Sequence, residues 1–140
     1  MSKKLICEAV VTELQKVTNI GLVEGKMGRR IGLPWETTLQ PLWAVTVAKE
    51  SLSSRHQPMG SKCWSIVLRI RGYFPHSFEE DSDTTWLTYL DAVTDKLSPE
   101  PAISICAMTE PPILVENDYV MYGDVLCHFA LLEFRVEEWR

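Results

Sequence analysis

The feature that most constrains this fold is a pair of apolar segments separated by thirteen polar residues, ESLSSRHQPMGSK at 50–62. In the second segment, CWSIVLRIRGYF at 63–74, apolar side chains alternate with mainly polar ones, which predicts a β-strand with one buried face. The first segment, PLWAVTVAK at 41–49, is rich in β-branched and aromatic residues, which also favours a strand. Together they predict an antiparallel hairpin with a long polar tip.

Two further segments have apolar residues at helical spacing and predict amphipathic helices over 3–17 and about 84–98. Ser82 or Asp83 is suited to cap the second helix, and Pro99 ends it. The apolar stripe of the first helix consists of Leu5, Ile6, Ala9, Val10, Leu14 and Val17. The stripe of the second consists of Trp86, Leu90, Val93 and Leu97.

The rest of the chain predicts four more strands, at about 20–24, 102–108, 113–121 and 124–136. Residues 26–39, between the first of these strands and the hairpin, are expected to be irregular. This order of elements predicts an α+β fold, in which a mainly antiparallel sheet carries both helices on one face. The length of 140 residues predicts a single domain, 1–140.

Charge and composition exclude several classes of protein. The formal net charge is −5, whereas proteins that read a DNA groove are usually basic. No apolar run approaches the roughly 18–20 residues of a membrane span, and early glutamates interrupt any export signal. The four cysteines are scattered, which predicts buried reduced thiols and no metal site of ordinary ligand spacing.

The segment GKMGRRIGLP at 25–34 combines three glycines with the cations Lys26, Arg29 and Arg30. A phosphate-binding loop needs the pattern G-x-x-x-x-G-K-[ST] between a strand and a helix, and no Ser or Thr follows this lysine. We therefore expect no phosphate or cofactor here. A solvated surface loop and a contact loop for a macromolecular partner both remain open.

The histidines and carboxylates give no catalytic pattern. His56 lies in a loop, His76 in a proline-flanked turn, and His128 beside Cys127 in a strand. Neighbouring strand residues point to opposite faces, so this last pair cannot act together locally. We predict no catalytic residues and therefore no enzyme.

Tryptophan is abundant, with five residues in the chain, and some of them have no evident core position. Trp35 lies in a loop and Trp139 is the penultimate residue. Trp43 shares a strand face with Val45 and Val47, and the opposite face of that strand is apolar too. Exposed aromatic residues often mark interfaces, so these positions are candidate contacts.

The layout of the whole chain resembles the tail terminator (tail completion) proteins of long-tailed bacteriophages. The segments that carry the resemblance are, in chain order, KKLICEAVVTELQKV, GLVEG, LPWETT, PLWAVTVAKE, WSIVLRIRGYF, WLTYLDAVTDKL and FALLEFRVEEW. The resemblance implies a small α+β subunit of a homohexameric ring. Such a ring caps the tail tube, ends its polymerisation and offers a joining surface to the head connector. Genome DNA would pass through its lumen without sequence-specific binding.

The resemblance also implies where the protein acts and which residues make contacts. It would be assembled in the host cytoplasm and reside in the virion neck, with sheath contacts added if the tail is contractile. The candidate subunit or partner contacts are Lys26, Arg29, Arg30, Trp35, Trp43, Val45, Val47, Arg55, His56 and Trp139. Two alternatives are a head-side neck (head-completion) protein and, in a different class, a small α+β ligand-binding module.

Overall fold

A computed structural model describes residues 3–17, 22–24, 41–52, 63–76, 82–97, 107–108, 112–122 and 125–139. The helices are α1 (Lys3–Gln15) and α2 (Ser82–Lys96). The strands are β1 (Leu22–Glu24), β2 (Leu42–Leu52), β3 (Cys63–Pro75), β4 (Ala107–Met108), β5 (Ile113–Tyr122) and β6 (Val125–Trp139). Each described element overlaps one that the sequence predicts, and of the strand predicted at about 102–108 only residues 107–108 are described.

The strands form one sheet in the order β1-β2-β3-β6-β4, and β5 also pairs with β6. β2 with β3, β3 with β6, and β5 with β6 are antiparallel, whereas β1 runs parallel to β2. β5 pairs with the first part of β6 and β4 with its last part, so the two share one side of that strand. The predicted hairpin and the predicted α+β class are both confirmed.

The core lies between one face of the sheet and both helices. Val45, Ile70 and Leu132 are in register across β2, β3 and β6, and each is at most 1% exposed. The helices complete this core with their apolar stripes, as the sequence predicts. Their buried residues are Ile6, Val10 and Leu14 from α1 and Trp86, Leu90 and Val93 from α2.

The structure corrects the prediction of a contact face at Trp43, Val45 and Val47. Trp43 and Val45 are fully buried in the core, and Val47 packs partly buried against it. Trp43 lies opposite Gly72 and stacks on Trp86, with ring centroids 5.2 Å apart. Because both faces of this segment carry apolar residues, alternation alone could not show which face the helices cover.

The other face of the sheet is polar along its middle. The Arg69 side chain donates to Glu133 at 3.2 Å across β3 and β6. Arg71 donates to the Thr46 hydroxyl at 3.5 Å across β2 and β3. Arginines that alternate with core residues in the sequence therefore lie on the face away from the helices, as the period-two pattern requires.

The described cysteines form no disulfide with one another. Cys63 and Cys127 are buried and Cys7 is half-buried. This confirms the predicted burial of the two strand cysteines, and Cys106 lies outside the described residues.

Candidate functional site

A cluster of polar side chains lies where β3 ends, α2 begins and the first part of β6 pairs with the end of β3. His76 directly follows β3, and its backbone N–H donates to the Leu126 carbonyl at 2.9 Å. The hydroxyl of Ser82, the first residue of α2, lies 3.1 Å from His76 Nδ1 and 3.0 Å from His128 Nε2. Ser82 and His128 are only 5% and 3% exposed. One buried hydroxyl therefore bridges two imidazole rings.

Asp83 and Tyr119 extend this cluster to the surface. The Tyr119 hydroxyl donates to Asp83 Oδ1 at 2.9 Å, and His128 Nδ1 lies 3.5 Å from the same oxygen. Asp83 belongs to the first turn of α2, where a carboxylate also stabilises the positive end of the helix dipole. We refer to His76, Ser82, Asp83, Tyr119 and His128 as the histidine cluster.

The surroundings of the histidine cluster shift two of its pKa values. Burial lowers the pKa of His128, the nearby Asp83 carboxylate partly offsets this, and His76 lowers it further. The hydrogen bond to Asp83 raises the pKa of Tyr119, with smaller contributions in the same direction from burial and from the charges of Asp83 and Asp118. At neutral pH, His128 is therefore mainly uncharged and Tyr119 stays protonated.

Aromatic rings hold His128 in place. Its ring lies 6.1 Å from both Phe74 and Trp86, nearly parallel to each, and 5.1 Å from Tyr119. Trp86 is 1% exposed, and its indole N–H donates to Asn117 Oδ1 at 3.2 Å. Packing between strands and helix thus fixes this imidazole, whereas Asp83 points outward.

A pocket of about 250 Å³ opens beside the histidine cluster. Its lining comes from α2, β5 and β6 and consists of Asp83, Trp86, Leu87, Asn117, Asp118, Tyr119 and His128. Ser82, His128 and Asp83 are linked in the order of a serine hydrolase triad. However, Ser82 is buried, does not line this pocket, and is engaged by two histidines, so its hydroxyl is not presented to a substrate.

β5 presents a second unusual feature, an apolar surface on an edge strand. Within the described part of the chain, β5 pairs only with β6, and a register shift lies between Leu114 and Glu116. Five large side chains on this strand are about half exposed or more. They are Ile113 at 56%, Leu114 at 47%, Val115 at 55%, Tyr119 at 49% and Met121 at 62%, and we call them the β5 surface.

The β5 surface is accessible from both faces of the sheet. Leu114 lies opposite the core residue Leu132, so it projects on the helix side. Ile113 lies opposite Glu133 and projects on the other side, where it lines a shallow hollow together with Val115. An edge strand of this kind is open to pairing and packing with another chain.

The contact residues that the sequence predicts fall into three groups: outside the described residues, at the end of β6, and in or against the core. Lys26, Arg29, Arg30, Trp35, Arg55 and His56 lie outside the described residues. Trp139 ends β6, with its backbone paired to Cys63. Trp43 and Val45 are core residues and Val47 packs against the core, as stated above.

Sequence reasoning missed both the histidine cluster and the β5 surface. His76 and Ser82 are six residues apart, but His128 lies 46 residues beyond Ser82, so no local spacing could reveal the whole cluster. The pairing of β3 with β6, which the sequence does not specify, places Phe74 opposite His128 and thereby brings His76 near it. The β5 surface was hidden because an apolar strand is ordinarily assigned to a core.

Comparison with protein-family models finds no match, and comparison with curated proteins finds none either. Among the described residues, no helix is both long and apolar enough to cross a membrane.

Proposed function

We propose that this chain is a structural subunit of a ring in the neck of a long-tailed bacteriophage, acting as a tail terminator. The observation that carries the proposal is the β5 surface, which leaves large apolar side chains in water on an edge strand. A ring of six subunits would cap the tail tube, stop its polymerisation and bind the head connector. The overall layout of the chain supports the same assignment.

The occupant of the β5 surface in this proposal is a second copy of the chain. A closed ring needs heterologous contacts, in which two different patches of each subunit meet. The sheet order places β5 and β1 at opposite sides of the sheet. Next to β1, β2 ends in Leu52, which is 52% exposed. The β5 surface of one subunit would therefore contact the β1–β2 side of the next.

The charge of the chain fits a conduit for DNA. With a net charge of −5, the subunit has little overall attraction for phosphates. Each phosphate that a protein neutralises adds to affinity, and strong attraction would slow the passage of DNA. An acidic ring would guide the genome without retaining it.

The decisive experiment compares assembly of the wild type with that of Ile113→Glu/Val115→Glu. We expect the wild type to form hexamers or rings, alone or on the ends of cognate tail tubes. The double variant should remain monomeric under the same conditions, because burying two carboxylates in an apolar contact is unfavourable. Light scattering over a concentration series and negative-stain imaging would measure this.

The matched control is Thr12→Glu/Gln15→Glu, which adds the same charge at exposed positions of α1. This variant should assemble like the wild type. A wild type that stays monomeric even with tube ends would contradict the ring. A β5 variant that assembles normally would show instead that the ring uses another surface.

Lys26, Arg29 and Arg30 offer an independent test of the same function. Replacing all three by alanine should leave folding intact and weaken joining to the tube or connector. Circular dichroism would check folding, and an assembly assay with tubes and heads would check joining. Normal joining by this triple variant would remove the loop from the proposed contacts.

A head-side neck protein would use the same kind of ring. The two roles differ in the partner, since a terminator caps tail tubes and a head-side protein binds the connector first.

A ligand-binding module is favoured by one observation, the pocket of about 250 Å³ beside Asp83. In that case a small molecule would raise the melting temperature of a monomer or dimer that forms no ring.

A further inference from the structure

Three side chains that are common metal ligands meet in the histidine cluster. His76, Asp83 and His128 each offer a donor atom, and these atoms all lie within 4.8 Å of one another. The donors come from the residue after β3, the first turn of α2 and the first part of β6. Two imidazoles and a carboxylate are a ligand set typical of Zn²⁺ and related transition metals, whereas Ca²⁺ and Mg²⁺ prefer oxygen ligands alone.

We propose that His76, Asp83 and His128 bind a divalent transition-metal ion of the Zn²⁺ type. Tetrahedral Zn²⁺ with bonds of about 2.0–2.1 Å places its ligands roughly 3.3–3.5 Å apart. The distance of 3.5 Å between His128 Nδ1 and Asp83 Oδ1 already matches this spacing. The three donors all lie within 4.8 Å of one another, and rotation of the half-buried His76 or the exposed Asp83 side chain would close the remaining gap.

Hydrogen bonds around the three ligands support the site. A metal-bound histidine ordinarily uses its second ring nitrogen to bond a nearby oxygen. Here Ser82 Oγ lies within hydrogen-bond distance of one nitrogen on each histidine. When this hydroxyl accepts from both rings, the other nitrogen of each ring has a lone pair for the metal. The Tyr119 hydroxyl donates to the Asp83 carboxylate and so restricts its orientation.

The site combines a rigid ligand with an open side. His128 is fixed among Phe74, Trp86 and Tyr119, so the metal position is set by the folded core. The neighbouring pocket, which Asp83 and His128 help to line, leaves room for a water molecule as a fourth ligand. A bound metal would join the end of β3, the start of α2 and β6, and would thereby stabilise the subunit.

The experiment uses the full chain, freed of metal by a chelator and then titrated with Zn²⁺ by calorimetry and with Co²⁺ by visible absorption. We expect one ion per subunit, a raised melting temperature, and the absorption of tetrahedral Co²⁺ with nitrogen and oxygen ligands. His76→Gln and Asp83→Asn keep hydrogen-bonding groups but remove a ligand. Each should weaken binding at least about ten-fold.

The control is Asp91→Asn, which removes an exposed carboxylate from the same helix and should bind like the wild type. Absence of saturable binding to the wild type would overturn the proposal. So would unchanged affinity in both ligand variants, or sulfur-to-cobalt charge-transfer bands that assign the ion to a cysteine. The result does not depend on ring formation, since it is measured on the free subunit.

Discussion

At the scale of single residues, Gly72 determines how the aromatic core packs. It lies in β3 opposite Trp43, and the indoles of Trp43 and Trp86 stack above it. A Cβ atom at this position would lie 2.8 Å from Trp86 and closer still to Trp43. The buried tryptophan pair therefore occupies the space that a side chain at position 72 would need.

We expect Gly72→Ala to destabilise the protein. Overpacking a core costs about 1–3 kcal/mol, which exceeds the roughly 0.5–1 kcal/mol that alanine gains over glycine within a strand. Urea unfolding would measure the loss, with Ser65→Ala on the same strand as a control. An unfolding free energy equal to that of the wild type would show that the tryptophan rings move aside easily.

The half-buried thiol of Cys7 is expected to be less reactive in the folded protein than in an unfolded chain. Burial raises the pKa of its thiol above the ordinary value of 9.0, a backbone hydrogen bond from Val47 partly offsets this, and the charge of Glu8 raises it further. The thiolate is the reactive form, so the folded protein has less of it at Cys7 than an unfolded chain has.

We therefore predict that Cys7 reacts with iodoacetamide at pH 8 more slowly in the native protein than in urea. Peptide-resolved mass spectrometry would follow Cys7 separately from the buried Cys63 and Cys127. Glutathione alkylated in both buffers controls for the effect of urea on the reagent. Equal rates at Cys7 in the two states would contradict the assigned burial.

At the scale of elements, one hydrogen bond joins α2 to the edge strand β5. The Trp86 indole N–H, from the buried face of the helix, reaches the Asn117 side chain on the strand. This contact positions the pocket that lies between the two elements. It also anchors the strand that carries the β5 surface.

Asn117→Ala should lower the unfolding free energy by about 1 kcal/mol, because it removes the acceptor from a buried donor that pocket water can only partly replace. Asn117→Asp retains an acceptor oxygen and should recover most of the loss. Thermal and urea unfolding of both variants would measure this. If alanine and aspartate behave alike, the hydrogen bond does not hold the strand.

At the scale of the whole molecule, charge and edge exposure point in the same direction. A net charge of −5 disfavours binding to DNA, and an exposed apolar surface such as the β5 surface is typical of protein contacts. In the proposed ring, the core that stabilises the subunit and the surface that would contact the next subunit are different parts of one sheet. The core lies under the helices, and the β5 surface lies at the opposite end of the strand order from β1.

We predict no saturable binding of duplex DNA by the free protein at roughly 0.15 M salt, and an affinity weaker than about 0.1 mM. Fluorescence anisotropy of a labelled duplex would measure it, with a repeat at low salt as an internal control. Micromolar binding with a steep salt dependence would reveal a concentrated basic patch. It would also contradict a passive conduit.

The sequence by itself determined the helices, the long strands and the α+β class, because hydrophobic period and turn residues act over a few positions. The period-two pattern of β3 also assigned Ile70 to the core and Arg69 to the other face. Those features depend on the side-chain period of a single helix or strand, and that period can be read from the sequence of the segment itself.

Only the tertiary structure decided which apolar strand face the helices cover, and it buried Trp43 rather than exposing it. Only the pairing of β3 with β6 brought His76 and Ser82 to His128. Among the described strands, the same pairing order left β5 with one neighbour, β6, and with its apolar residues exposed. These outcomes depend on contacts between segments that are distant in the chain, and local pattern does not specify which distant segments meet.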